Sequence, residues 1–280
     1  MSVFNTSMFQ SIKAALAKNE RDGGNALYNE ILRTTPGNTY TLRLLPNTTD
    51  PKNTFFEHYN HGWTSFATGQ YVQALSPMTF GERDPIAEER YRVLRTGSTE
   101  EKEKMAAIRR AQKYLVNVYV IDDPTTPENN GKVKILRYGK QVHKIIMEAI
   151  EGEDSEEYGE RIFDLSERGA SFKLKCETQG EYPTYVSSRF AAAGKVKLSE
   201  EGQEKIYNGT FDLTKVFTLK SYDELKQMLD EHYYCRTEEV GAPVQTQQAV
   251  SVKVQEPKSE PVVEVSASIS DDIDELLKDL

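Results

Sequence analysis

Two cysteines, Cys176 and Cys235, are all that 280 residues contain, too few for a disulfide framework, and no basic stretch followed by an apolar run opens the chain. That pattern predicts a cytosolic protein. No apolar run approaches the ~18 residues that a transmembrane helix needs, so no membrane role is expected. Catalytic signatures are missing too: the chain has no Gly-rich phosphate loop, His-Glu-x-x-His helix or Gly-x-Ser-x-Gly elbow, and four histidines supply little for acid–base work. The remaining enzymatic reading is a carboxylate–metal nuclease on Asp122, Asp123 and Glu128, but Asp-Asp-Pro and Pro-Glu-Asn are ordinary turn chemistry. A non-enzyme without cofactors is the expectation. Excess positive charge is also lacking. The formal charge is −9 and unevenly spread: residues 238–280 hold three Lys against ten Asp or Glu, a net −7, which leaves residues 1–237 at −2. A body so nearly balanced can bind a polyanion only where its cations gather locally.

Such a gathering exists between Arg109 and Lys140. Residues 114–121, YLVNVYVI, are β-branched and aromatic, and Val133 to Tyr138 repeats that character after a loop with Pro124, Pro127, Asn129, Asn130 and Gly131. Two strands joined by an exposed turn are predicted. Alternation sets Tyr114, Val116, Val118 and Val120 on one face and Leu115, Asn117, Tyr119 and Ile121 on the other, both half-buried or more. Arg109, Arg110 and Lys113 lead into this ribbon, and Arg137, Tyr138 and Lys140 lead out. Cationic groups pair with phosphates and phenol rings stack on bases, so the ribbon is a candidate nucleic-acid surface. A core hairpin with solvated charges at its rim fits the composition equally.

Other elements follow from spacing. Met8, Ile12 and Leu16 give residues 7–18 an apolar stripe after the capping pair Asn5-Thr6. Thr39 to Leu45 alternates as a strand, with Arg43 its only charge, and Ser171 to Cys176 as another. The ring-dense run Phe55 to Phe66 reads equally as core or as groove lining, Trp63 included. Asp84-Pro85 opens one helix, and Ser98 with Glu101 caps a second that runs toward Arg110. Val142, Ile145, Ile146 and Ala149 mark a helix packed on the sheet, the acidic run 151–160 reads as a solvated loop, and Ser221 with Glu224 caps a last helix. Beyond Glu238 the composition turns to Ala, Pro, Val, Gln, Ser and Glu, a disordered linker. It ends in an acidic segment in which Ile273, Leu276, Leu277 and Leu280 keep helical spacing among Asp271, Asp272, Asp274, Glu275 and Asp279.

The run Tyr114–Asn117, Asp123-Pro124, Pro127-Glu128-Asn129, Gly131-Lys132-Val133 and Arg137-Tyr138-Gly139-Lys140, together with the final DDIDELLKDL, resembles the helix-destabilising single-stranded DNA-binding proteins of T-even-like phages. Asn60-His61-Gly62-Trp63, the segment around Arg43, and Gly180 to Phe190 are similar as well. The resemblance implies a β-rich α+β fold, an OB-type barrel core with added helices and a disordered acidic C-terminal tail. The implied domains are 1–24, a helical segment for self-association; 25–237, the DNA-binding core; and 238–280, the linker and partner-binding tail. The DNA-binding residues it implies are Arg43, Trp63, Arg109, Arg110, Lys113, Tyr114, Arg137, Tyr138, Lys140, Tyr182 and Tyr185.

Two family features are missing from the sequence. The resembled proteins carry a basic N-terminal motif for cooperative binding, and the first dozen residues here have no Lys or Arg. They also hold zinc through a His and three cysteines, and Tyr71 to Arg95 contains no cysteine. No zinc site is expected, and His61 then reads as a structural or groove-rim histidine. The resulting expectation is a sequence-tolerant single-stranded DNA-binding protein for replication, recombination and repair in an infected bacterium. Its tail, partner-binding residues Asp271 to Leu280, would recruit replication and recombination proteins or occupy the protein's own groove in place of DNA. Alternatives are an adaptor with incidental nucleic-acid contact and a single-stranded RNA binder.

Overall fold

The computed structural model describes residues 26–236 except Glu181 and 193–195. The amphipathic stretch 7–18 and the tail from 237 onward lie outside the described residues. The chain divides into units Met1–Thr237 and Glu238–Leu280, and every element below belongs to the first.

Eight antiparallel strands form the body: β1 (Asn38–Leu45), β2 (Phe56–Thr64), β3 (Tyr71–Leu75), β4 (Arg109–Asp122), β5 (Val133–Tyr138), β6 (Ser171–Gln179), β7 (Tyr182–Thr184) and β8 (Arg189–Ala191). Their order is β3-β2-β4-β1-β6-β7, with β5 added on β4 and β8 on β6. The described helices are α1 (Pro85–Thr96), α2 (Thr99–Met105), α3 (Lys140–Glu151), α4 (Glu200–Asn208) and α5 (Tyr222–His232). This is the β-rich α+β body with added helices that the sequence predicts.

Strand β4 organises the rest because its 14 residues outrun any single partner. One edge pairs first with β2, from Gly62↔Arg109 to Phe56↔Leu115, and then with β1, from Leu45↔Asn117 to Thr41↔Asp122. Residues 114–119 meet β5 on the opposite edge. The pairing with β2 also explains a difference from the sequence reading. The helix capped by Ser98 and Glu101 ends at Met105 instead of running toward Arg110, because Arg109 to Lys113 satisfy their backbone groups in the ladder with β2.

Alternation on β4 buries both faces. Tyr114, Val116, Val118 and Val120 join Tyr40, Leu42 and Leu44 of β1, Leu136 of β5, and Phe172 and Leu174 of β6 in one core, closed by Val142, Ile146 and Ala149 of α3. Four strands turned toward one core make a curled, barrel-like body. On the other face Leu115 meets Phe56, Ile135, Leu213 and Val216. Asn117 shares that face and is buried at no polar cost: its amide donates to the Phe211 carbonyl (2.9 Å) and accepts from the Phe211 N–H (3.0 Å).

A third cluster covers the far side of β2, where Trp63 packs with Ile86 and Val93 of α1, Met105, Ile108, and Leu225 and Leu229 of α5. Local capping fixes these helices. Asp84 caps α1 and capping boxes start α2 and α5. The acidic run predicted as a loop holds two short 3₁₀ turns, Glu153–Glu156 and Gly159–Phe163.

Candidate nucleic-acid interface

The alternation that buries Leu115 also turns Arg109, Ala111 and Lys113 to the same face of β4. Register places Gly62 and Asn60 of β2 beside them, and β3 adds Tyr71 and Gln73, Gln73 directly opposite Gly62. The Tyr71 hydroxyl lies across Gly62, where a Cβ would displace it. Arg137 of β5 stands opposite Leu115. These side chains floor a groove of about 700 Å³ that Tyr138 to Val142, Pro183 and Tyr185 also line, the Tyr185 N–H donating to Gln141 Oε1 (3.3 Å).

Charge in the groove has one sign. Arg109, Lys113, Arg137 and Lys140 line it, and among the described residues no Asp or Glu does. Burial pulls the Lys113 ammonium below its ordinary pKa and the neighbouring Arg137 charge pulls it further, while burial likewise lowers Arg137. Cations crowded together in partial burial gain from an anion that neutralises them. The first turn of α3 borders the groove as well, and its N-cap, Gly139, offers no side-chain acceptor. The amides there leave the positive end of the helix dipole on the same side. His58 adds no charge, since burial, then Arg137 and Lys113, push its pKa down to about 3.

Of the residues predicted from sequence, Arg109, Lys113, Arg137, Tyr138, Lys140 and Tyr185 line this groove. Tyr182 is 72% exposed beside it, one residue before Pro183. Four others are placed elsewhere. Arg43 is wholly buried, donating from Nε to Ser171 Oγ (3.1 Å) and from Nη1 to the Asp164 carbonyl (2.5 Å); it ties β1 to β6 and the 164 segment and reaches no phosphate. Trp63 is core, 1% exposed, with Nε1 directed at the His232 carbonyl. Arg110 alternates to the opposite face, where its guanidinium sits 5.1 Å from the Tyr59 ring centroid and near Met78 Sδ. Tyr114 is buried with His143 stacked on it at 3.8 Å and Tyr138 at 5.6 Å, which leaves little ring face for a base.

Sequence reasoning missed Tyr71, 69% exposed, along with Asn60, Gln73 and Gln141. The signal for Tyr71 and Gln73 was the alternation of the short strand YVQAL, legible only once its pairing with β2 is known. Of the turn carboxylates of the nuclease reading, Asp123 is committed locally, accepting from the Thr125 and Thr126 amides (both 2.9 Å) and from Asn129 Nδ2 (2.7 Å).

The zinc that the family resemblance implies does not fit the residues present. His61 Nε2 lies 2.7 Å from Asp84 Oδ2, which also accepts from Ser76 Oγ, while Asp84 Oδ1 accepts from the Ile86 and Ala87 amides. Burial would raise the Asp84 pKa, but hydrogen bonds from His61, Ser76 and the α1 amide outweigh it and hold the carboxyl below its ordinary value. Cys176 is buried on β6 and Cys235 is exposed beyond α5. A tetrahedral thiolate set cannot be assembled around His61 from these groups, and among the described residues no three His, Cys, Asp or Glu side chains cluster to hold a metal.

Residues 37–232 match the family model described as gp32 DNA binding protein like. The single-stranded DNA-binding proteins of Enterobacteria phages T4 and T2 are each 26% identical to this chain over 191 residues, covering 66% of it and 62% of their own length. The chain thus spans less than two thirds of the curated relatives it matches.

Proposed function

From the premise that the chain belongs to the gp32-like family of DNA-binding proteins, we propose that it binds single-stranded DNA without sequence preference in the groove of β2, β3, β4 and β5. The observation that carries this reading is the groove lining of four cations and no described carboxylate in a chain of net charge −9. Arg109, Lys113, Arg137 and Lys140 pair with successive phosphates. Tyr71, Tyr182 and Tyr185 offer rings to bases, and every base has a face to stack. A duplex hides those faces, so the open strand is preferred, and coating it protects it during replication, recombination and repair. No catalytic step is part of the role.

The wider reading extends to the whole chain. Residues 25–237 bind the strand, residues 1–24 support self-association, and the acidic stripe from Asp271 to Leu280 recruits replication and recombination proteins in the cytoplasm of the infected host. No helix of the described residues is long and apolar enough to cross a membrane. The His61–Asp84–Ser76 network takes the structural place of zinc, and the protein folds without the metal.

The test is fluorescence titration of the full chain with an oligothymidine and with a duplex of equal length at two salt concentrations. The single strand is expected to bind more tightly, with affinity falling as salt rises. Equal affinity for the two forms, or none for either with or without residues 238–280, would overturn the reading.

A further inference from the structure

The groove does not end at Arg137. Asn60, Gln73 and Arg137 line it and also line a second hollow of about 290 Å³, which continues past Tyr28, Phe217 and Lys220. The three shared residues form a saddle between two chambers, and two of them hold donors that the protein leaves unused. Asn60 is 8% exposed and its Nδ2 has no partner, and Arg137 Nε is buried and unpartnered. Both are N–H groups, so the missing partner is an acceptor, the chemistry of a phosphate or base-carbonyl oxygen. Aromatic surface adjoins them: the Arg137 guanidinium lies 5.4 Å from the Phe217 ring centroid, and Tyr28, 39% exposed, meets Phe217 edge-on at 6.1 Å. Lys220 is exposed at the same hollow, and among the described residues no carboxylate lines it.

We infer that this second hollow takes one further nucleotide of the bound strand, its base on the exposed Tyr28 ring and its phosphate between Arg137 and Lys220. The volume sits at the small end of ligand sites, which suits one nucleotide and not several. The inference rests on the single-stranded DNA reading and extends its path across the Asn60–Arg137 saddle.

The test measures affinity of the full chain for oligothymidines of increasing length, comparing the unaltered protein with Lys220→Gln and with Tyr28→Ala/Lys220→Gln, the melting temperature of each being checked first. The shortest oligomers that bind are expected to show no difference. On longer ones the double variant loses about tenfold, the size of one stacked base, and Lys220→Gln alone loses less, with a shallower salt dependence. Variants that match the unaltered chain at every length overturn the inference, and so does an equal loss at every length, which would assign these residues to the first chamber or to folding. Failure of the unaltered chain to bind any length overturns the single-stranded DNA reading itself.

Discussion

Arg109 and Arg110 are adjacent in sequence, yet alternation along β4 puts one in the groove and the other against Tyr59 on the opposite face. The two faces should separate cleanly in salt titrations. Each phosphate neutralised on a single strand contributes about 0.7 to the slope of log affinity against log salt, so on oligothymidines too short to reach Lys220 the four groove cations give a slope of about −2.8. Between about 50 and about 200 mM salt that slope weakens binding roughly fiftyfold, whereas a variant with three cations, slope about −2.1, weakens roughly twentyfold. Arg109→Gln or Lys140→Gln should therefore start weaker than the unaltered chain and close part of the gap as salt rises. Arg110→Gln should run parallel to the unaltered chain. The assay is oligothymidine titration across that range, plotted on double-logarithmic axes. A slope change for Arg110→Gln equal to that for Arg109→Gln, or no change for any groove cation, would refute the placement of the charge. Arg43→Met extends the contrast, since its guanidinium holds Ser171 and the Asp164 carbonyl: stability falls and the slope does not move.

Further outcomes follow from the buried groups. His58 has its pKa pushed down to about 3, so its contribution is complete above the unfolded value of about 6.5 and is lost, by about 1.4 kcal/mol per pH unit, as pH falls from there toward 3. Urea titrations at several pH values should show this loss in the unaltered chain and not in His58→Phe, and parallel curves for the two would contradict it. Trp63→Phe should lower the melting temperature while oligothymidine affinity stays within about twofold; unchanged stability with lost binding would restore Trp63 to the groove. A chelator should leave the melting temperature unchanged, whereas Asp84→Ala should cost about 2–4 kcal/mol through the lost α1 cap and the stranded His61 and Ser76 donors. A drop on chelation, reversed by zinc, would show that the metal is needed after all.

What the sequence determined by itself was local. The boxes Ser98/Glu101 and Ser221/Glu224 and the cap at Asp84 start three helices where predicted, because a cap satisfies amides within the same four residues. Alternation in YLVNVYVI determined which side chains share a face, and the clustering of Arg109, Lys113, Arg137 and Lys140 was legible as charge at the corresponding ends of a hairpin. Tertiary structure decided which face stays open. Arg43 looked like an isolated cation on a strand until Ser171 and the 164 segment, more than a hundred residues away, enclosed it. Trp63 became core because α1 and α5 cover the far side of β2, and Tyr71 entered the groove because β3 pairs with the strand carrying Gly62. A two-residue period states that neighbours point opposite ways, but it carries no information on which side distant elements will cover, and for this protein that covering is what separates a binding residue from a structural one.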